Sequence, residues 1–137
     1  MITNEQYKSA ATQIGCEVEA IMAVDHVEAP SGGFDKDGKI SILFEPYVFY
    51  KELKKAGINP APLISKNPDI ISPKWNPKLY GGHSLQWGKL ERAKLINQDA
   101  AERSASYGRY QIMGNNCKVA GYPTAHAMIE DYKLGED

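Results

Sequence analysis

An apolar helix that stops on a carboxylate and breaks into a proline–glycine turn constrains this chain more than any other feature. The stretch is Ala20-Ile21-Met22-Ala23-Val24-Asp25-His26-Val27-Glu28, followed by Ala29-Pro30-Ser31-Gly32-Gly33-Phe34. Ile21, Val24 and Glu28 recur at i, i+3 and i+7, which predicts a buried helix with Glu28 on its apolar stripe. Pro30 and the Gly32-Gly33 pair cannot continue that helix, and they let backbone pass close to the carboxylate. Partial burial and the negative end of the helix dipole both disfavour charge on a glutamate so placed, and raise its pKa. Asp25, one turn earlier, adds a like charge that acts in the same direction. A proton held near neutral pH is what a general acid needs. The plainer alternative is a solvated last-turn glutamate.

Around this stretch the chain reads as helices with one short hairpin. Residues 4–14 form a first helix, with Thr3 or Asn4 as N-cap and Gly15 closing it. After the glycine turn, Asp37-Gly38 feeds a strand in which Ile40, Ile42 and Phe44 alternate. Glu45 ends that strand, and Pro46 fits the first position of a third helix running to about Ala56-Gly57. Residues 58–83 have no periodicity and carry Pro60, Pro62, Pro68, Pro73 and Pro77, as expected of a long functional loop. Trp75 and Tyr80 within it are candidate sugar-stacking platforms, or else apolar pegs that pin the loop. Further helices are expected over 85–95, from an Asn97 or Asp99 cap to Ala105, and around Thr124 to Tyr132. Between them, Ser106 reads as the N-cap of a short helix carrying Gln111 on its polar edge and Ile112 and Met113 on its apolar side.

Composition narrows the function classes. With 137 residues and 42% hydrophobic content, the chain is long enough for one domain with a true core. Sixteen basic residues face seventeen acidic ones in no long block, which argues against nucleic acid as a partner. No apolar run approaches the ~20 residues that span a bilayer, so stable membrane insertion is not expected. The first residues show no basic region followed by an apolar run, so no ordinary signal peptide is expected and synthesis is assigned to the cytoplasm. Cys16 and Cys117 lie far apart without CxxC spacing and read as free thiols.

Two carboxylates carry the chemistry that remains. A glycosidic bond is broken by a protonated carboxyl beside the leaving oxygen, usually with a second carboxylate that stabilises the sugar cation, attacks it or activates water. Glu28 suits the first role. Glu45 is the best candidate for the second, since the glycine turn folds its strand back towards the end of the Glu28 helix; Asp35 and Asp25 are weaker. The alternative for Glu45 is a carboxylate favoured by the helix start. His26, His83 and His126 are dispersed, with no HxxxH pair, so neither a metal nor any other cofactor is expected. There is also no GxSxG nucleophile segment.

Taken together, these stretches resemble the N-acetylmuramidase domain family of phage and prophage endolysins, within the lysozyme-like enzymes. Ala23-Val24-Asp25-His26-Val27-Glu28 with Gly32-Gly33-Phe34 is similar to that family's AVxxVE…GGF segment. Asp37-Gly38-Lys39 with Ile42-Leu43-Phe44-Glu45 and Phe49 is similar to its DGxxxILFE…F segment. Tyr80-Gly81-Gly82 and Leu90-Glu91-Arg92-Ala93 match two further landmarks. Ser104-Ala105-Ser106-Tyr107-Gly108 with Gln111-Ile112-Met113-Gly114 and Asn116 resembles SASWGxxQIMGxN, with Tyr107 in the tryptophan place. Pro46-Tyr47 departs from the basic–His pair common after the FE of the family.

The resemblance implies a mainly helical α+β, lysozyme-like fold with a small β-hairpin, one catalytic domain over residues 1–137. It implies hydrolysis of the β-1,4 bond between N-acetylmuramic acid and N-acetylglucosamine in peptidoglycan, with Glu28 as acid. It also implies that Tyr107, Gln111 and Asn116 line or shape the sugar cleft. The family domain usually continues past Met128-Ile129-Glu130, so a domain shortened at its C-terminus is expected. A monomer is expected, acting on the cell wall after release by a holin-type partner. Two alternatives stay open: a lytic transglycosylase, which would not need Glu45, and a non-catalytic peptidoglycan-binding remnant.

Overall fold

The computed structural model describes residues 2–29 and 32–135, with Glu28 described by its backbone alone. The Glu28 side chain and the Pro30-Ser31 step of the predicted turn lie outside the described residues. Among the described residues, six α-helices surround a small sheet: α1 (Asn4–Ile14), α2 (Val18–Glu28), β1 (Ile42–Phe44), α3 (Pro46–Lys55), α4 (Gln86–Ile96), α5 (Gln98–Arg103), β2 (Ala105–Tyr107), β3 (Ile112–Met113) and α6 (Ala125–Tyr132). The mainly helical α+β plan read from the sequence is the plan observed.

Local chemistry sets most of the boundaries. Thr3 accepts the Gln6 amide at 3.2 Å, while Gln6 Oε1 accepts the Thr3 amide at 2.6 Å, a reciprocal cap that starts α1. Gly15 ends α1 in the left-handed region at φ 81°. Asn97 accepts the Ala100 amide at 2.8 Å and starts α5, and Thr124 accepts the Ala127 amide at 3.0 Å and starts α6. Pro46 occupies the first turn of α3, where its missing N–H costs nothing.

The core is built where β1, α3, α4, α5 and α6 converge. Ile42 and Phe44 alternate inwards from β1, and the Phe44 and Phe49 rings meet edge to face at 5.5 Å. Leu53, Ile70, Ile71, Leu90 and Met128 belong to the same buried cluster. The helix α5 sits in the middle, in contact with α3, α4 and α6. A Cβ at Gly114 would stand 2.0 Å from the Glu102 carbonyl oxygen, so only glycine lets the turn after β3 lie on α5.

Two expectations are overturned. The helix predicted from Ser106 is absent, and β2 and β3 form an antiparallel hairpin in its place, with Ser106 opposite Met113 and Tyr107 opposite Ile112. The turn between the strands holds Gly108 at φ 78° and Gln111 at φ 51°, conformations no right-handed helix can take. Strand β1 lies beside β2, with Ile42 opposite Tyr107 and Phe44 opposite Ala105, and supplies the partner that local propensity could not foresee. The second correction concerns α2, which is not a buried helix. Val24 is 60% exposed and Val27 74% exposed, whereas Asp25 is the fully buried side chain. The inward side of α2 therefore runs through Ile21 and Asp25, and its apolar residues largely face solvent.

Candidate active site

Asp25 anchors the end of α2. Arg109 grips its carboxylate with two bonds, Nε to Oδ1 and Nη2 to Oδ2, each 2.6 Å. The Tyr7 hydroxyl from α1 donates to Oδ2 at 2.5 Å, and the Tyr110 hydroxyl donates to Oδ1. The Arg109 guanidinium, aided by both hydroxyls, holds the Asp25 carboxyl well below the usual carboxylate range, against the opposing effect of burial. Position 28 follows three residues later on the same side of the helix. Its backbone is thus tied to the turn that carries Arg109 and Tyr110.

That turn also carries Gln111. Its Nε2 donates to the Gly108 carbonyl at 2.9 Å and to the Ser41 carbonyl at 3.1 Å, while its Oε1 accepts the Ser106 hydroxyl at 2.8 Å. These bonds offset the strain of a non-glycine residue at positive φ. The Gly108 amide donates to the same Ser41 carbonyl at 2.9 Å. The structure thus ties Gln111 to the residue before β1, in the turn whose Arg109 and Tyr110 hold Asp25 of α2.

Glu45 stands at the other end of β1. Its amide donates to the Ser104 carbonyl at 2.9 Å, and it occupies the N-cap position of α3. The side chain makes no capping bond to the helix it precedes. Instead Oε2 accepts the Tyr80 hydroxyl at 2.5 Å, and the Trp75 indole donates to that hydroxyl at 2.9 Å. Burial first, and the Glu45 carboxylate second, push the Tyr80 phenol pKa up. Trp75 itself is 63% exposed and offers a ring face beside this group. Along the same strand, an open depression of about 420 Å³ is lined by Asp35, Asp37, Ser41, Ile42, His83 and Trp87. Asp35 serves its own turn, accepting the Asp37 and Lys39 amides at 2.9 Å.

Two of the remaining assignments land elsewhere. Tyr107 has no exposed surface, and its hydroxyl donates to the Glu102 carbonyl at 2.7 Å. Of the two expected roles for Tyr107, lining the cleft or shaping it, only the second is compatible with a ring packed wholly in the core. Asn116 is exposed in a 3-10 turn (Gly114–Asn116) after β3, with no bond to Glu45 or Gln111 among the described residues.

Gln86 and Lys89 are buried polar residues that the sequence reading did not single out. Both bind the loop carrying Tyr80: Gln86 Nε2 reaches the Tyr80 carbonyl at 2.7 Å, and Lys89 Nζ reaches it at 2.7 Å. Burial lowers the Lys89 ammonium pKa. Helical spacing was the available signal, since Gln86 and Lys89 share one side of α4 with Leu90 and Ala93, where polar residues are out of place.

Residues 17–137 match the family described as Muramidase, N-acetylmuramidase. Among solved structures, the crystal structure of the Burkholderia AP3 phage endolysin matches 98% of this chain with a TM-score of 0.89 at 31% sequence identity. The chain spans 50% of that endolysin's length. No curated protein matches the chain.

Proposed function

The chain belongs to the N-acetylmuramidase family, and on that premise we propose that it hydrolyses the β-1,4 bond between N-acetylmuramic acid and N-acetylglucosamine in peptidoglycan. Glu28 is the general acid, giving its proton to the leaving glycosidic oxygen as that bond breaks. Glu45 is the second carboxylate, stabilising the sugar cation or placing the attacking water. Gln111 and Asn116 border the bound glycan, while Tyr107 shapes the site only from within the core. In the endolysin reading, the enzyme meets the wall after release by a holin-type partner.

The observation that carries the reading is the state of Glu45. A carboxylate in an N-cap position is free to turn back on its own helix, yet this one is turned to a loop bearing an exposed tryptophan. Its Oε1 has no partner among the described residues, which leaves one oxygen for water or sugar. The Asp25–Arg109 grip supports the Glu28 assignment, because it fixes the backbone of the last turn of α2.

Mass analysis of soluble products from purified peptidoglycan tests the proposal. Products ending in reducing N-acetylmuramic acid are expected, and Glu28→Gln should abolish them with the thermal melt unchanged. Anhydro-sugar ends would replace the hydrolase with a transglycosylase and remove the need for Glu45. Sedimentation with sacculi without product release, from a cooperatively melting chain, would reduce the protein to a binding module.

A further inference from the structure

We propose that Tyr80 is a positioning residue for Glu45, an inference that rests on the role given to Glu45 above. Its hydroxyl keeps the carboxylate turned away from α3 and towards the site. A carboxylate at the N-cap has the free amides of the first helical turn close by as competing donors. The Tyr80 hydroxyl at 2.5 Å from Oε2 competes with them through a charge-assisted bond.

Three features distinguish this contact from a chance meeting of surface groups. The first is direction. An indole N–H can only donate, so the Tyr80 oxygen accepts from Trp75 and its single proton is left for Glu45. The second is spacing. The Gln86 side chain binds the Tyr80 carbonyl through Nε2 at 2.7 Å and the Phe44 amide through Oε1 at 2.9 Å. Phe44 immediately precedes Glu45, so one buried amide sets the distance between the donor's backbone and the acceptor's. The third is cost. Lys89 is buried to give its protons to the Leu79 and Tyr80 carbonyls, and burying an ammonium for a loop of no consequence would be a poor exchange. Backbone clamps of this kind also survive a change at the tyrosine ring, which makes the idea testable.

The experiment compares Tyr80→Phe, Glu45→Gln and the double variant on soluble, uncross-linked glycan strands, with thermal melts alongside. Tyr80→Phe should lower kcat by roughly 10-fold with KM and melting temperature unchanged. In the Glu45→Gln background the same change should cost nothing further, because the carboxylate it orients is gone even though the amide oxygen can still accept from the hydroxyl. An unchanged kcat in Tyr80→Phe overturns the proposal. A lowered melt in step with activity makes the hydroxyl merely structural, and also overturns it. A full 10-fold further loss in the double variant would show Tyr80 acting on its own. Glu45→Gln at wild-type rate would instead sink the reading of Glu45 itself. If that background is too slow to measure, the kcat, KM and melt of the single variant decide.

Discussion

Replacing Asp25 with Asn tests the joint that holds α2 to the body of the domain. Asp25 is 3% exposed and carries two 2.6 Å bonds from Arg109 together with hydroxyls from Tyr7 and Tyr110. The Arg109 side chain is itself 18% exposed, so Asn removes one counter-charge from beside a largely buried guanidinium. Breaking one side of such a pair costs about 3–5 kcal/mol, and the shape kept by Asn favours the lower end, about 3 kcal/mol. For a domain of this size that is roughly 10 °C in melting temperature. The contribution also has a pH signature. The folded-state pKa of Asp25 is depressed, so its stabilisation is fully present above the unfolded-state value of about 4 and is lost as pH falls below it. Thermal melts of both proteins from pH 2.5 to 8 should therefore differ by a constant amount above about pH 4 and converge in acid. A difference below about 1 kcal/mol at neutral pH, or one that persists undiminished at pH 2.5, would refute the assignment of Asp25 as a charged anchor.

Two other substitutions probe the packing beneath the site. Gly114→Ala places a methyl 2.0 Å from the Glu102 carbonyl, so backbone must shift; a loss of about 3 kcal/mol or failure to accumulate folded protein is expected in denaturant melts. Tyr107→Phe removes only the 2.7 Å bond to the Glu102 carbonyl. It should cost about 1 kcal/mol of stability in a urea titration and leave KM for glycan strands unchanged, whereas a raised KM would return Tyr107 to the cleft.

The helices were legible because their ends carry local chemistry. Thr3, Gly15, Asn97 and Thr124 act within three or four residues of themselves, so spacing alone finds them. The hairpin over 105–113 was illegible for the opposite reason: Ala105-Ser106-Tyr107 becomes a strand because β1, remote in sequence, lies alongside. The inward side of α2 was misread because an apolar stripe was preferred over Asp25, whose partners Tyr7, Arg109 and Tyr110 come from both directions along the chain. Glu45 was found from its place at a strand end, but its partner Tyr80 was weighed only as an aromatic surface. The hydroxyl was the informative part.

The same comparison explains why the segments that carry the family resemblance should not be transferred wholesale as cleft residues. The 104–116 segment holds Tyr107 and Gly114, which serve packing, beside Gln111, which ties a turn to the Ser41 carbonyl. Ser41 precedes β1 and Glu45 follows it, and the four extended steps between them span about 13 Å. One end of this strut receives the turn that grips Asp25, and the other ends in the carboxylate faced by Tyr80. The placement of the end of α2 relative to Glu45 is therefore set by a single short strand with a clamp at each end. Polar atoms that remain unsatisfied, as Glu45 Oε1 does among the described residues, are the ones left to bond a substrate, while groups already bonded, such as the Gln111 amide, border it.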